Sequence, residues 1–153
     1  MTATPLSISP FSSFSAVTLL GGVEVLHAQP VAVLDWIPLV RRGLPAASVE
    51  AITRLTRTAQ SELARALAIP ERTLARRKRE GLLSADESAK LVRFARVVER
   101  AEGVFEGGAP ALAWLKTDNP ALGHATPLSL LDTDLGADSV MDTLGRIEQG
   151  VFA

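Results

Sequence analysis

The sequence contains no cysteine among its 153 residues. That excludes a disulfide, a thiolate zinc site and a cysteine nucleophile, and a reducing, cytosolic setting is the simplest expectation. Histidine is nearly absent too. His27 and His124 each lack a second histidine at metal-ligand spacing, so no metal is expected and both are read as bystanders. No P-loop, nucleophile elbow or dinucleotide turn is present, and no cofactor is expected. Glu99 with Glu102, or Asp132 with Asp134, are the only pairs worth weighing as acid–base dyads, and ordinary macrodipole and capping roles account for such acids. An enzyme is not expected. Basic residues are missing from the first forty positions, the first being Arg41, so a secretory n-region is lacking. The apolar stretch from Ala16 to Leu26 is interrupted by Gly21, Gly22 and Glu24 and is too short to span a bilayer. A soluble protein with no membrane partner follows as the expectation.

Hydrophobic residues, at 47% against 22% charged, are sufficient to bury a core in a chain of this length. The net charge of −1 hides a strong division. Residues 41–100 hold fourteen of the sixteen basic residues against seven acids, whereas residues 101–153 hold only Lys116 and Arg146 against eight acids. Two surfaces with different partners are implied.

No segment alternates apolar and polar residues for long, no repeat recurs at a fixed period, and the elements read as helices throughout. A flexible N-terminal arm is expected over residues 1–30, a helix-turn-helix domain over 31–86 and a small helical module over 87–153. Val31 to Val40 predicts a helix bent or ended near Pro38, with Gly43 closing it and Pro45 opening the next. Val49, Ile52 and Leu55 mark that next helix. Thr58 is placed to cap a helix whose Leu63, Ala64 and Leu67 turn inward. Ala68-Ile69-Pro70 makes a turn, and Glu71 to Glu80 forms a second helix anchored by Leu74. Two short helices across a three-residue turn are the helix-turn-helix pattern. In its second helix Arg72, Arg76 and Arg79 fall at spacings of four and three on the face opposite Leu74, placed for guanine edges, while Thr73 and Lys78 suit phosphate. Ala68 stands where glycine is usual, and Arg77 stands at a position more often apolar. One such helix makes too few contacts for specific binding, so a dimer or larger assembly is implied.

Ser84-Ala85-Asp86-Glu87 reads as a capping box opening a long helix with the stripe Leu91, Phe94, Ala95, Val98, Ala101 and Phe105. Gly107-Gly108 ends it. Pro110 starts a helix carrying Trp114, Asn119-Pro120 breaks the chain, and Thr126-Pro127 restarts it. A last helix, roughly Gly136 to Gln149, aligns Val140, Leu144 and Ile147, with Gly150 as its C-terminal cap. Val151 and Phe152 follow that cap, where chains normally fray and become polar, so a partner is one plausible cover for them.

Together these residues resemble the Xre/MbcA/ParS antitoxin family, in which a helix-turn-helix precedes a C-terminal toxin-binding domain. The similarity runs from about Gly43 to the C-terminus. It is carried by Gly43-Leu44-Pro45, Leu63-Ala64, Arg72-Thr73-Leu74, Gly81-Leu82-Leu83, Ala113-Trp114-Leu115, Asn119-Pro120-Ala121-Leu122-Gly123, Thr126-Pro127-Leu128, Leu144-Gly145-Arg146-Ile147-Glu148 and Gly150-Val151. Gln149 departs from the histidine or tyrosine common there. The resemblance implies an antitoxin that neutralises a RES-type, NAD-depleting toxin by placing its C-terminal segment at the toxin's active-site entrance, and that represses its own operon. The residues it implies for toxin binding are Trp114, Asn119, Pro120, Leu122, Leu128, Leu144, Arg146, Glu148, Gly150, Val151 and Phe152. An acidic surface at Asp132, Asp134, Asp138 and Asp142 would suit a basic dinucleotide cleft. The alternative is a stand-alone dimeric helix-turn-helix regulator, which a gene with no toxin neighbour would favour.

Overall fold

A computed structural model describes residues 14–150. Its helices are α1 (Ala16–Leu19), α2 (Gly22–Leu26), α3 (Trp36–Arg42), α4 (Ala47–Thr56), α5 (Gln60–Leu67), α6 (Glu71–Glu80), α7 (Ala85–Phe105), α8 (Gly108–Leu115) and α9 (Asp134–Glu148). Short 3-10 turns lie at Val33–Asp35, Pro120–Leu122 and Pro127–Leu130. No strand forms among the described residues; the only bridges are the isolated pairs Pro45 with Leu82 and Asn119 with Ala125. The expected all-α class holds.

Helix α7 is the axis of the fold, packed by α1, α3, α5, α8 and α9. Its start is fixed by the expected box: the Ser84 hydroxyl accepts from the Glu87 N–H at 3.1 Å, and the Glu87 carboxylate accepts from the Ser84 N–H at 2.9 Å. Its end is fixed at Glu106, whose left-handed φ of 57° stops the ladder one residue before Gly107. Along α7, Leu91, Phe94, Ala95, Val98 and Ala101 are buried as their spacing predicts, and so are Val92 and Val97. The buried arc is wider than a single stripe because neighbours cover α7 on several sides. Each large side chain removed from water there contributes about 1.5–3 kcal/mol.

Residues 16–26, expected in a flexible arm, instead form α1 and α2. Leu19, Leu20 and Leu26 are fully buried. Ser48 donates to the Leu20 carbonyl at 2.6 Å, and the Ala16 N–H donates to Glu99 at 3.1 Å. Helices of four and five residues are too short to show a period, so only packing against α4 and α7 stabilises them. Pro38 does not end α3, since it lies in the first turn, where its missing N–H is not needed. Thr58 does not cap α5; its hydroxyl is buried against Thr56, 2.9 Å away. Pro45 precedes α4 by two residues and faces Leu82. At Gly43, φ is +98° and a Cβ would lie 2.4 Å from the Leu83 carbonyl, so only glycine fits this crossing. The boundary expected at residues 86/87 falls inside the first turn of α7, which carries the chain unbroken from the first module to the second.

Candidate functional sites

The first site is built by α5, the turn and α6. Leu63, Leu67 and Leu74 are buried to 1% exposure or less, locking the two helices together. The turn runs through Ala68, whose φ of +55° is left-handed; this is the conformation that makes glycine usual there. Opposite Leu74, the side chains of Arg72, Arg76 and Arg79 are exposed. Arg76 makes an exposed pair with Glu80 at 3.4 Å, which competes little with an incoming anion. Thr73 is half-buried. Lys78 is exposed and donates to the side-chain Oε1 of Gln60 at 3.3 Å. Arg77, at the inward-flanking position, donates from two nitrogens to both oxygens of Glu87, at 2.8 and 3.2 Å. Glu87 is itself buried. Burial pushes its carboxyl up, but the Arg77 and Ser84 hydrogen bonds and the Arg77 charge outweigh this and hold it below the usual carboxylate range. The recognition-helix position is thus tied to the α7 cap by a pair that the sequence showed only as an anomaly.

The second site is the module after α7. Trp114 is half-buried, its ring centroid 5.5 Å from that of Phe105. Asn119 closes the following loop: its side-chain oxygen accepts from the Ala121 N–H at 2.9 Å, and its backbone pairs with Ala125 and His124. Pro120 is exposed at the tip and Leu122 half-buried at its base. Leu122, Asp142 and Arg146 line one small cleft where this loop meets α9. Leu128 and Leu144, assigned to a partner from the sequence, are core residues at 5% and 0% exposure; they support the module from within and present almost no surface. Glu148 is not free either. Both of its oxygens accept from Arg100, at 2.7 and 3.1 Å, which lowers its carboxyl and fastens α9 to α7. Gly150 is exposed with φ +74°. Val151 and Phe152 lie outside the described residues. Of the four aspartates, Asp134 is bonded to Arg93, while Asp132, Asp138 and Asp142 are exposed and make no ion pair among the described residues.

Several residues were not legible as part of these sites. Lys116 donates to the Thr56 and Arg57 carbonyls at 3.2 and 2.8 Å, capping α4 from the second module. Glu102 is buried with one oxygen lacking a partner among the described residues, and burial, together with the charge of Glu99, raises its carboxyl above the ordinary range. Among the described residues no cluster of His, Asp or Glu could hold a metal, and no helix is long and apolar enough to cross a membrane.

A helix-turn-helix with a basic outer face is followed by an acidic helical module, so the two parts of the chain carry surfaces of opposite charge. Residues 35–96 match the antitoxin Xre-like helix-turn-helix domain, and residues 100–150 match the antitoxin Xre/MbcA/ParS C-terminal toxin-binding domain. The chain is 36% identical over 116 residues to antitoxin Xre of Yersinia enterocolitica, covering 74% of this chain and 78% of that protein. It is 28% identical over 137 residues to a Prs ADP-ribosylating antitoxin of a Sphingobium strain, covering 83% and 84%. A chain in the crystal structure of the M. tuberculosis MbcT-MbcA toxin-antitoxin complex shares the fold, with a TM-score of 0.53 at 20% identity, covering 80% of this chain and all of that one. The chain belongs to the Xre/MbcA/ParS antitoxin family, and it is an antitoxin whose toxin-binding domain begins at the end of α7.

Proposed function

We infer that this antitoxin neutralises a RES-type, NAD-depleting toxin by occluding its active site, acts without catalysis of its own, and represses its own operon as a dimer. The observation that carries the capture reading is the toxin-binding domain over residues 100–150, with α9 delivering the chain at an exposed Gly150 to the apolar pair Val151-Phe152. The exposed Pro120, the half-buried Trp114, and Leu122 with Arg146 in the same small cleft supply further surface on this module. The operator reading is supported by the exposed Arg72, Arg76 and Arg79, aligned opposite Leu74. A partner that transfers ADP-ribose is the second reading, favoured by the name of the Sphingobium relative.

Co-expression of the adjacent toxin gene tests capture. The full chain is expected to restore growth and a chain lacking Gly150 to Ala153 to protect less; full protection by the truncated chain would remove the occluding role of the tail. Incubating the purified toxin with NAD separates the two chemistries, since a RES-type enzyme releases nicotinamide without labelling protein. Replacing Arg72 and Arg76 with alanine is expected to weaken operator binding by about 2–6 kcal/mol while leaving toxin binding intact. Unchanged operator affinity would remove the base-reading role.

A further inference from the structure

Four large apolar side chains stand exposed within seven residues: Val31 at 86%, Val33 at 57%, Leu34 at 73% and Ile37 at 39%. They are held in place. Both the Val31 and Ala32 N–H groups donate to the Asp35 carboxylate, at 2.9 and 2.8 Å, which restrains the backbone of the turn that carries these side chains. Beside this turn lies an open, mostly apolar cleft of roughly 640 Å³ between α3, α7 and α9, floored by Trp36, Val40, Val92 and Met141. Val33, in the turn, and Ile37, one helical turn on in α3, both line the cleft wall, so the protrusion and the hollow are continuous. An apolar projection next to an apolar hollow is the arrangement a two-fold contact requires, since each copy then fills the other's cleft.

The charges on the cleft also point to a second copy. Arg41 and Arg96 stand on the α3 and α7 walls and Asp138 on the α9 wall; none of the three makes an ion pair among the described residues. A partner bearing a single sign of charge would be repelled by one wall. A copy rotated by a two-fold presents the same charges in opposite order. The toxin is a poorer occupant, because ten of the thirteen residues lining the cleft lie outside the toxin-binding domain at residues 100–150. The cleft face of α7, with Ala89 and Arg96, is also roughly half a helical turn away from Glu87, which holds α6 through Arg77. A copy seated here leaves the recognition-helix position uncovered.

We propose that the turn Val31–Leu34 and the α3–α7–α9 cleft form the homodimer interface, each turn seated in the other copy's cleft with Arg96 against Asp138 across the two-fold. This rests on the dimer that the operator reading requires, and it names its surface. Sedimentation of the full-length chain at micromolar concentration tests it. The wild type is expected to be a dimer, and a chain carrying both Val33→Asp and Leu34→Asp a monomer with unchanged far-UV circular dichroism, since both residues are already exposed. Arg96→Asp and Asp138→Arg are each expected to weaken the dimer about tenfold or more, and together to restore it. A monomeric wild type, or a dimer that survives Val33→Asp with Leu34→Asp, overturns the proposal. So does an intact dimer in which those substitutions abolish toxin capture, for the face would then belong to the toxin. A dimer that these substitutions break but that binds no operator supports the interface and removes only the operator reading.

Discussion

Arg77 occupies a flank of α6 that apolar residues would ordinarily fill, and the fold accepts it because Glu87 meets it with both oxygens while also capping α7. Removing either partner leaves a poorly solvated charge, so the pair fixes α6 against α7 more than it adds net stability. Ala68 is the other departure in this motif, and its left-handed φ of +55° has a steric cost that glycine avoids. Ala68→Gly is therefore expected to raise stability by about 1 kcal/mol, read as a shift in the denaturation midpoint with unchanged slope; a lower midpoint would show the turn to be unstrained. Glu102 makes a pH-dependent prediction. Its raised carboxyl means the folded state holds a proton that the unfolded state releases near pH 4.3, so it lowers stability above its folded titration point and ceases to do so below pH 4. Glu102→Gln is expected to melt higher than wild type at pH 7 and level with it at pH 4 or below. A gap that stays constant across this range would show that the charge of Glu102 is not its cause.

At the scale of elements, α9 depends on a close approach at its first turn. Thr133 caps it, its hydroxyl accepting from the Gly136 N–H at 2.9 Å. A Cβ on Gly136 would lie 1.9 Å from the Leu130 carbonyl oxygen, a backbone atom that has no side-chain freedom to yield. Gly136→Ala is accordingly expected to destabilise the protein by about 3 kcal/mol and to weaken toxin capture with it, as the module loosens. Gly145, on the same helix, has nothing among the described residues within 4 Å of its added methyl. Gly145→Ala is expected to raise stability by about 0.5–1 kcal/mol through helix propensity alone. Thermal melts of the two variants side by side check both signs, and equal shifts would mean that the Leu130 contact is not what places α9. The corresponding constraint at α6 has two parts: Leu74 buries its middle and Arg77 anchors its last turn, leaving Arg72, Arg76 and Arg79 on a face that no other described residue covers.

For the whole molecule, contacts between distant segments hold the helices within each module and join one module to the other. Arg100 holds Glu148, Arg93 holds Asp134 and the Leu131 carbonyl, Lys116 caps α4, and Ser88 accepts from the Leu44 N–H at 2.8 Å. None of these was legible, because their partners lie 38 to 60 residues apart and nothing local marks them. What local chemistry marks was legible: the Ser84–Glu87 box, the inward Leu63, Leu67 and Leu74, the cap at Gly150, and the family resemblance carried by the Asn119 to Gly123 loop. Burial was legible only where a period ran long enough. Leu144 was assigned to a partner and is in the core, while Leu34, which drew no notice, is 73% exposed. Residues 16–26 passed for an arm because two helices of four and five residues show no pattern until α4 and α7 cover them. The sequence by itself determined the helical elements, the charge division and the family, since caps, turns and periodicity act over a few residues. Only the tertiary structure decided which apolar side chains are core and which remain exposed as a surface, and which charges are already paired, because burial and ion pairing depend on segments that the chain brings together from far apart.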